Sequence, residues 1–211
     1  MEKTKYRNLE KSDQVMKLLQ PPLALPTEEG KPLHDLPDPR GVKVNPVDLS
    51  EAINNRVSVR AYNEEPLSLD ELSYVLWSTQ GVKEVTKRPA TLRTVPSAGS
   101  RHCFETYVLV NRVDGLKPGL YRFIAIDHKL QEIDMSDDIA ERVTQGCFGQ
   151  RFVLSSAITL ILTAVREEAS RRRYELETGL ELDVDDYVEK PVSPEFLLKR
   201  VDKLTRKKKK T

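Results

Sequence analysis

Two short stretches carry residue types that could hold a ligand. The first is Arg56-x-Ser58-x-Arg60, inside RVSVRAY. In an extended backbone successive side chains alternate, so these three would share one face. Two guanidiniums, each a planar fork of donors, would then converge with one hydroxyl, a set suited to a phosphate. The same spacing also describes a solvated strand or loop with surface arginines. The second stretch is PSAGSRH, from Pro96 to His102. Gly99 opens backbone angles closed to other residues, and Ser97 and Ala98 leave room for close approach. A planar aromatic ligand could rest on such a backbone and take hydrogen bonds from its amides. The same letters also make an ordinary solvent turn. His102 is either a neighbour of that ligand or a hydrogen-bonded structural histidine. No nucleophile triad and no metal-ligand spacing stands out, so neither a catalytic side chain nor a metal is expected.

The elements that must position these stretches are legible on either side of them. A short helix fits Val47 to Asn55, with Leu49, Ala52 and Ile53 on one face. A longer helix follows Ser68. Ser68 and Glu71 make an S-x-x-E capping box, Leu69, Leu72 and Leu76 supply a buried stripe, and Gly81 is placed to end the helix. After PSAGSRH, TYVLVNRV (Tyr107–Val113) reads as a strand and GLYRFIAI, from Gly119, as a second, turned by DHK toward LQEIDM. Ser136 is expected to cap a helix through Val143, with Asp137 and Asp138 in its first turn. AITLILTAV, Ala157 to Val165, reads as a strand buried on both faces. Helices and strands mix without regular β-α-β alternation, which predicts an α+β domain.

Composition narrows the function classes. The chain has 211 residues, 38% hydrophobic and 32% charged, with a net charge of +1, so its overall charge gives no argument for nucleic acid or an anionic membrane. The lysine tail RKKKK reads as a solvated end, without specific nucleic-acid binding. The longest apolar run is AITLILTAV, far short of the roughly 18 residues that span a bilayer. The N-terminus does not read as a signal peptide. Cys103 and Cys147 make neither a disulfide framework nor a zinc spacing, and a reducing, cytoplasmic setting is expected. Residues 1–46 hold seven of the thirteen prolines and are expected to form an extended arm or irregular loop and not a core helix, a segment equally compatible with wrapping a partner subunit and with disorder.

Taken in order, R-x-S-x-R-x-[YF], then P-L-S-x-E-L-S-x-x-L-W-x-x-Q-G-V, then P-S-A-G-[AS]-R-H, then V-N-R-V-x-G-L-x-P-G-L-Y resembles the FMN-dependent nitroreductase family. Within that family the pattern is most similar to the SagB-type dehydrogenases, which oxidise azoline rings in peptides. The similarity covers about Tyr6 to Val165. It implies a three-layer fold and a homodimer with FMN at the subunit interface. Arg56, Ser58 and Arg60 would contact the phosphate and ribityl end. Pro96, Ser97, Ala98 and Gly99 would line the isoalloxazine ring. Hydride would pass from NAD(P)H or another small reductant through the flavin, which carries the hard chemistry while the protein orients it.

Some residues depart from the family pattern. Val57 stands where the family often has a second arginine, and Cys103 where related sequences often have proline. Cys103 is read as a small buried thiol, and Tyr74 and Trp77 as core or dimer-face aromatics. After its TAV strand the family continues into a long helix and a later glycine-containing segment, neither of which this chain shows. Residues 166–180 read as a charged helix. LELDVDDYVEKPVSPEFLLKRVDKL then resembles the last strand, Lys-Pro turn (Lys190, Pro191) and last helix (from Ser193) of a response-regulator receiver domain. Asp183, Asp185 and Asp186 do not replace that domain's missing acceptor site. The expected organisation is therefore an arm (1–46), a partial flavin domain (47–165) and a receiver-like β-α appendage (166–211). The expected function is an FMN-dependent oxidoreductase, impaired if the missing half is needed. The alternatives are a non-catalytic remnant and a signalling or interaction module.

Overall fold

Uninterrupted runs of apolar and β-branched residues make the middle of the molecule a sheet buried on both faces. The computed structural model describes residues 22–87, 90–97, 100 and 102–164. The charged helix expected over 166–180 and the receiver-like segment of 166–211 lie outside them. In chain order the elements are β1 (Leu33–Asp35), a 3-10 turn at Pro39–Gly41, α1 (Leu49–Asn55), α2 (Leu69–Gln80), β2 (Val82–Val85), β3 (Thr91–Arg93), β4 (Phe104–Val110), β5 (Gly119–Ile124), β6 (Lys129–Asp134), α3 (Ile139–Gly146), α4 (Phe152–Ser155) and β7 (Ile158–Ala164). Five strands form an antiparallel sheet ordered β1-β6-β5-β4-β7, and β2 and β3 form a separate hairpin.

Strand alternation sends the two sets of side chains to two helical layers. Val108 and Val110 of β4, Tyr121 and Phe123 of β5 and Leu130 of β6 pack with Leu72 and Leu76 of α2. Tyr107, Leu109, Leu120 and Ile133 pack on the opposite side with Ile139, Val143 and Val153 of α3 and α4. The result is a mixed α+β fold of three layers, as the sequence predicts.

α2 forms where its signals place it. The Ser68 hydroxyl accepts from the Glu71 amide, and the Glu71 carboxylate accepts from both the Ser68 amide and the Ser68 hydroxyl. These bonds satisfy donors that the first turn would otherwise leave open. They also hold the Glu71 carboxyl below its ordinary range, through the backbone bond first and the hydroxyl second. A carboxylate with a depressed folded-state pKa adds stability above its unfolded value of 4.5, and that stability is lost as pH falls through the folded value. Ser68→Ala is therefore expected to lower stability by about 1 kcal/mol near neutrality. Urea unfolding at stepped pH checks this: the gap between wild type and variant narrows as pH falls below the carboxylate range.

The arm is less detached than its prolines suggest. Leu33, His34 and Asp35 pair with Gln131, Leu130 and Lys129 and add a strand to the sheet edge. Gln131, fully buried, exchanges bonds with the amide and carbonyl of Glu28, and buried Arg122 donates to the Pro26 carbonyl. Further along, the Ser73 hydroxyl donates to the Pro37 carbonyl at 2.6 Å and lies 2.7 Å from His128 Nε2. These bonds supply partners for polar side chains that burial would otherwise leave wanting. The spacing of Leu33–Asp35 alone gives no warning of the pairing, because three residues carry no period.

Two expectations need correcting, and a third element forms with an exposed apolar face. The helix expected from Ser136 through Val143 begins at Ile139 and runs to Gly146. Ser136 does not cap it: its hydroxyl donates to the Asp134 carboxylate at 2.6 Å, and that local turn competes with the helix start. β7 is not buried on both faces. Among the described residues it pairs only with β4, and it is half-buried, with Leu162 exposed. α1 forms, capped by Asp48, but its apolar residues Leu49, Ala52 and Ile53 are all exposed.

Candidate functional site

The first stretch leaves α1 at its C-cap, Arg56, whose amide donates to the Ile53 carbonyl. Arg56 to Arg60 join no strand, and every residue from 43 to 66 is exposed. The chain returns to the core at Leu67, which bridges to Val113 and exchanges backbone bonds with Arg112 and Asp114. Near that return, Arg112 Nη2 donates to the Asn63 carbonyl at 3.0 Å. Among the described residues the side chains of Arg56, Ser58 and Arg60 make no hydrogen bond or ion pair. Two guanidiniums and a hydroxyl thus stand in solvent with no compensating partner among the described residues. That donor set suits the phosphate of a nucleotide-like cofactor.

The second stretch is built differently. Pro96 is exposed and Ser97 half-buried, while Ala98 and Gly99 lie outside the described residues. The Ser100 amide donates to the Ser97 carbonyl at 3.1 Å, closing a turn. The His102 amide donates to Ser97 Oγ at 2.8 Å. Ser100 and His102 both adopt left-handed backbone, with φ of 55° and 46°. His102 Nε2 lies 3.1 Å from the Thr91 carbonyl, which can only accept, so this nitrogen carries the hydrogen. Burial lowers the His102 pKa, the nearby Arg93 charge lowers it further, and the bond to Thr91 opposes both. His102 is therefore a neutral structural clamp in this fold, the second of its two sequence readings.

The clamp is anchored through the hairpin to α2. The Thr94 amide donates to the Gly81 carbonyl, and its hydroxyl donates to the Trp77 carbonyl at 2.8 Å. Arg93 Nη1 reaches Gln80 Oε1 at 3.4 Å. Hydrogen bonds thus link the capped helix, the hairpin and, through His102, Ser97. Tyr74 and Trp77 are half-buried and tilted against each other, with ring centroids 5.9 Å apart. Burial raises the Cys147 pKa and keeps it a thiol. Among the described residues no group of His, Cys, Asp or Glu is placed to hold a metal ion, and no helix is long and apolar enough to cross a membrane.

The structure brings Ser97, Ser100, His102, Thr91, Thr94 and the end of α2 together. It makes no hydrogen bond or ion pair between Arg56, Ser58 or Arg60 and Pro96 or Ser97. Beside the hairpin, Gln80, Arg93, Phe104, Thr106 and Phe123 line an indentation of about 10 Å³, room for about one water. The buried Thr106 hydroxyl in its lining has no partner among the described residues. A tricyclic ring does not fit inside it. Thr91, Arg93 and Gln80 went unread in the sequence. Their one signal is position, directly between the helix end and the loop.

A model described as the nitroreductase family matches residues 53–182, a span that contains both stretches. A protein of Methanocaldococcus jannaschii designated a nitroreductase is 32% identical over 136 residues, which is 64% of this chain and 64% of that protein. This chain thus spans a little under two thirds of that relative's length. Among solved structures, a protein of Ralstonia eutropha designated a nitroreductase aligns with a TM-score of 0.52 at 24% identity, over 78% of this chain and 70% of its own. One of Anabaena variabilis aligns with a TM-score of 0.51 at 20% identity, over 77% of this chain and 29% of its own. At those identities the two structures speak to the shared fold.

Proposed function

The chain belongs to the nitroreductase family, and from that premise we propose that it is a flavin-dependent oxidoreductase that binds FMN as a homodimer. The observation that carries the cofactor reading is the uncompensated donor set of Arg56, Ser58 and Arg60. Evolution seldom leaves two arginines and a serine at alternate positions of a bare segment for stability, since such exposed cations contribute little to folding. A phosphate would give each of them a partner.

The same segment supports the dimer. Leu49 is 74% exposed and Val57 71%, and Val47, Ile53 and Val59 are exposed beside them. A capped helix whose apolar residues face water needs a covering surface. A second copy would supply one, and it would also supply a further wall beside Ser97, where the described residues form a shallow indentation.

The division of labour follows from the residues. Arg56 and Arg60 offer planar forks to the phosphate, and Ser58 offers a hydroxyl. Pro96, Ser97, Ala98 and Gly99 would lie along the ring, Ser97 with its hydroxyl proton free to donate. Neutral His102 adds no charge beside the ring. Bound flavin supplies the hydride acceptance and delivery, fed by NAD(P)H or another small reductant. No side-chain nucleophile is needed. The order of the motifs points within the family to SagB-type dehydrogenases, and hence to azoline rings of peptides as a substrate class.

Purification decides this reading. We expect a yellow protein carrying, or taking up, one FMN per chain, sedimenting as a dimer and oxidising NAD(P)H when given an electron acceptor. A colourless chain that takes up no added FMN would sink the oxidoreductase reading and leave the non-catalytic one.

A further inference from the structure

We propose that His102 is a positioning residue for Ser97: its imidazole, pinned on the Thr91 carbonyl, holds the His102 backbone where its amide fixes the Ser97 hydroxyl. The purpose of this arrangement rests on the flavin reading above, but its geometry does not. The His102 amide lies 2.8 Å from Ser97 Oγ, and His102 Nε2 lies 3.1 Å from the Thr91 oxygen. A serine hydroxyl has one proton and two lone pairs. The amide occupies one lone pair, which restricts the rotamer and leaves the proton to donate outward. His102 makes these two bonds with φ of 46°, and Ser100 has φ of 55°. Left-handed backbone is unfavourable for a residue with a side chain, so something must hold it.

The anchor is what holds it. Thr91 is 2% exposed and paired into the hairpin, so its carbonyl is a fixed point. His102 is half-buried and donates from Nε2, a bond that a neutral imidazole makes with the other nitrogen unprotonated. The hairpin is in turn bonded to the end of α2 through Thr94. Through His102 the Ser97 hydroxyl is thus tied to the hairpin and, by way of Thr94, to the end of α2. Ser97 lies in the stretch expected to face the ring, so His102 acts through it and touches no reacting atom itself.

The test uses the full chain and four variants: His102→Ala, His102→Gln, Ser97→Ala and the Ser97→Ala/His102→Ala double. Glutamine can place an amide nitrogen where the imidazole Nε2 stands, so it can restore the bond to Thr91. The first readout needs no flavin: hydrogen exchange at the residue 102 amide. His102→Ala and Ser97→Ala are each expected to speed it at least tenfold, and His102→Gln to restore most of the protection. The second readout is FMN affinity from quenching of flavin fluorescence. His102→Ala is expected to weaken it about tenfold, and the double variant to bind no more weakly than Ser97→Ala alone. Unchanged exchange in His102→Ala, or additive losses of affinity in the double variant, overturns the proposal. If the wild type binds no FMN the flavin reading fails, and the exchange readout alone still decides the positioning role.

Discussion

The Arg56→Ala/Arg60→Ala double variant is expected to lose FMN binding by about 100- to 1,000-fold while melting like the wild type. The reasoning starts from exposure. Both arginines lie in the stretch from 43 to 66 where every residue is exposed, and neither side chain bonds to the described residues. Their removal breaks no hydrogen bond or ion pair among the described residues, so stability should stay within about 0.5 kcal/mol. Binding is another matter. A hydrogen bond to a charged group contributes roughly 1.5–3 kcal/mol, and each tenfold of affinity is about 1.4 kcal/mol. Two such losses total about 3–6 kcal/mol, and the lower half of that span gives the stated range, as befits bonds made at an exposed segment. Arg→Lys at both positions is expected to recover only part, because an ammonium keeps the charge and loses the fork. Flavin fluorescence titrations of the three proteins, beside their thermal midpoints, check this. Affinity within threefold of wild type in the alanine variant would move the phosphate elsewhere.

How much of this was legible in the sequence depends on how far each signal reaches along the chain. The Ser68–Gly81 helix rests on contacts three and four residues apart, and it appears with its capping box intact. β4 and β5 carry enough consecutive apolar residues to name themselves, and both are buried on both faces. Ser136 shows a local signal losing to a rival, since the Asp134 carboxylate takes its hydroxyl before a helix can use it. β1 and the β2–β3 hairpin were invisible because their pairing is their only signal: Leu33 meets Gln131, far along the chain. The candidate site divides the same way. Arg56, Ser58 and Arg60 could be named from spacing, but their shared face needs extended backbone, and no strand pairing holds the chain there. The frame under PSAGSRH could not be named at all, because it is made of carbonyls of Thr91, Trp77 and Gly81, whose role no side-chain letter records.

Gly81→Ala is expected to destabilise the fold by about 3 kcal/mol, near the upper end for overpacking, and to impair flavin binding further than that loss explains. A glycine after a helix usually serves a left-handed turn, yet Gly81 has φ of −59°, which any residue adopts. What forbids a side chain is space. A Cβ there would lie 2.5 Å from the Trp77 carbonyl oxygen and collide with the Trp77 indole. The indole could turn, but the carbonyl cannot move without opening the last turn of α2. That carbonyl accepts from the Gly81 amide at 2.7 Å and from the Thr94 hydroxyl at 2.8 Å, and the Gly81 carbonyl accepts from the Thr94 amide at 3.0 Å. Shifting it moves β3, and with β3 the Thr91 carbonyl that pins His102. Ser68→Ala is the right comparison, because it weakens the opposite end of the same helix and leaves the hairpin alone. FMN affinity measured where both variants are fully folded should be near wild type in Ser68→Ala and at least tenfold weaker in Gly81→Ala. Equal affinities would mean that the helix end and the ring-facing stretch are mechanically independent.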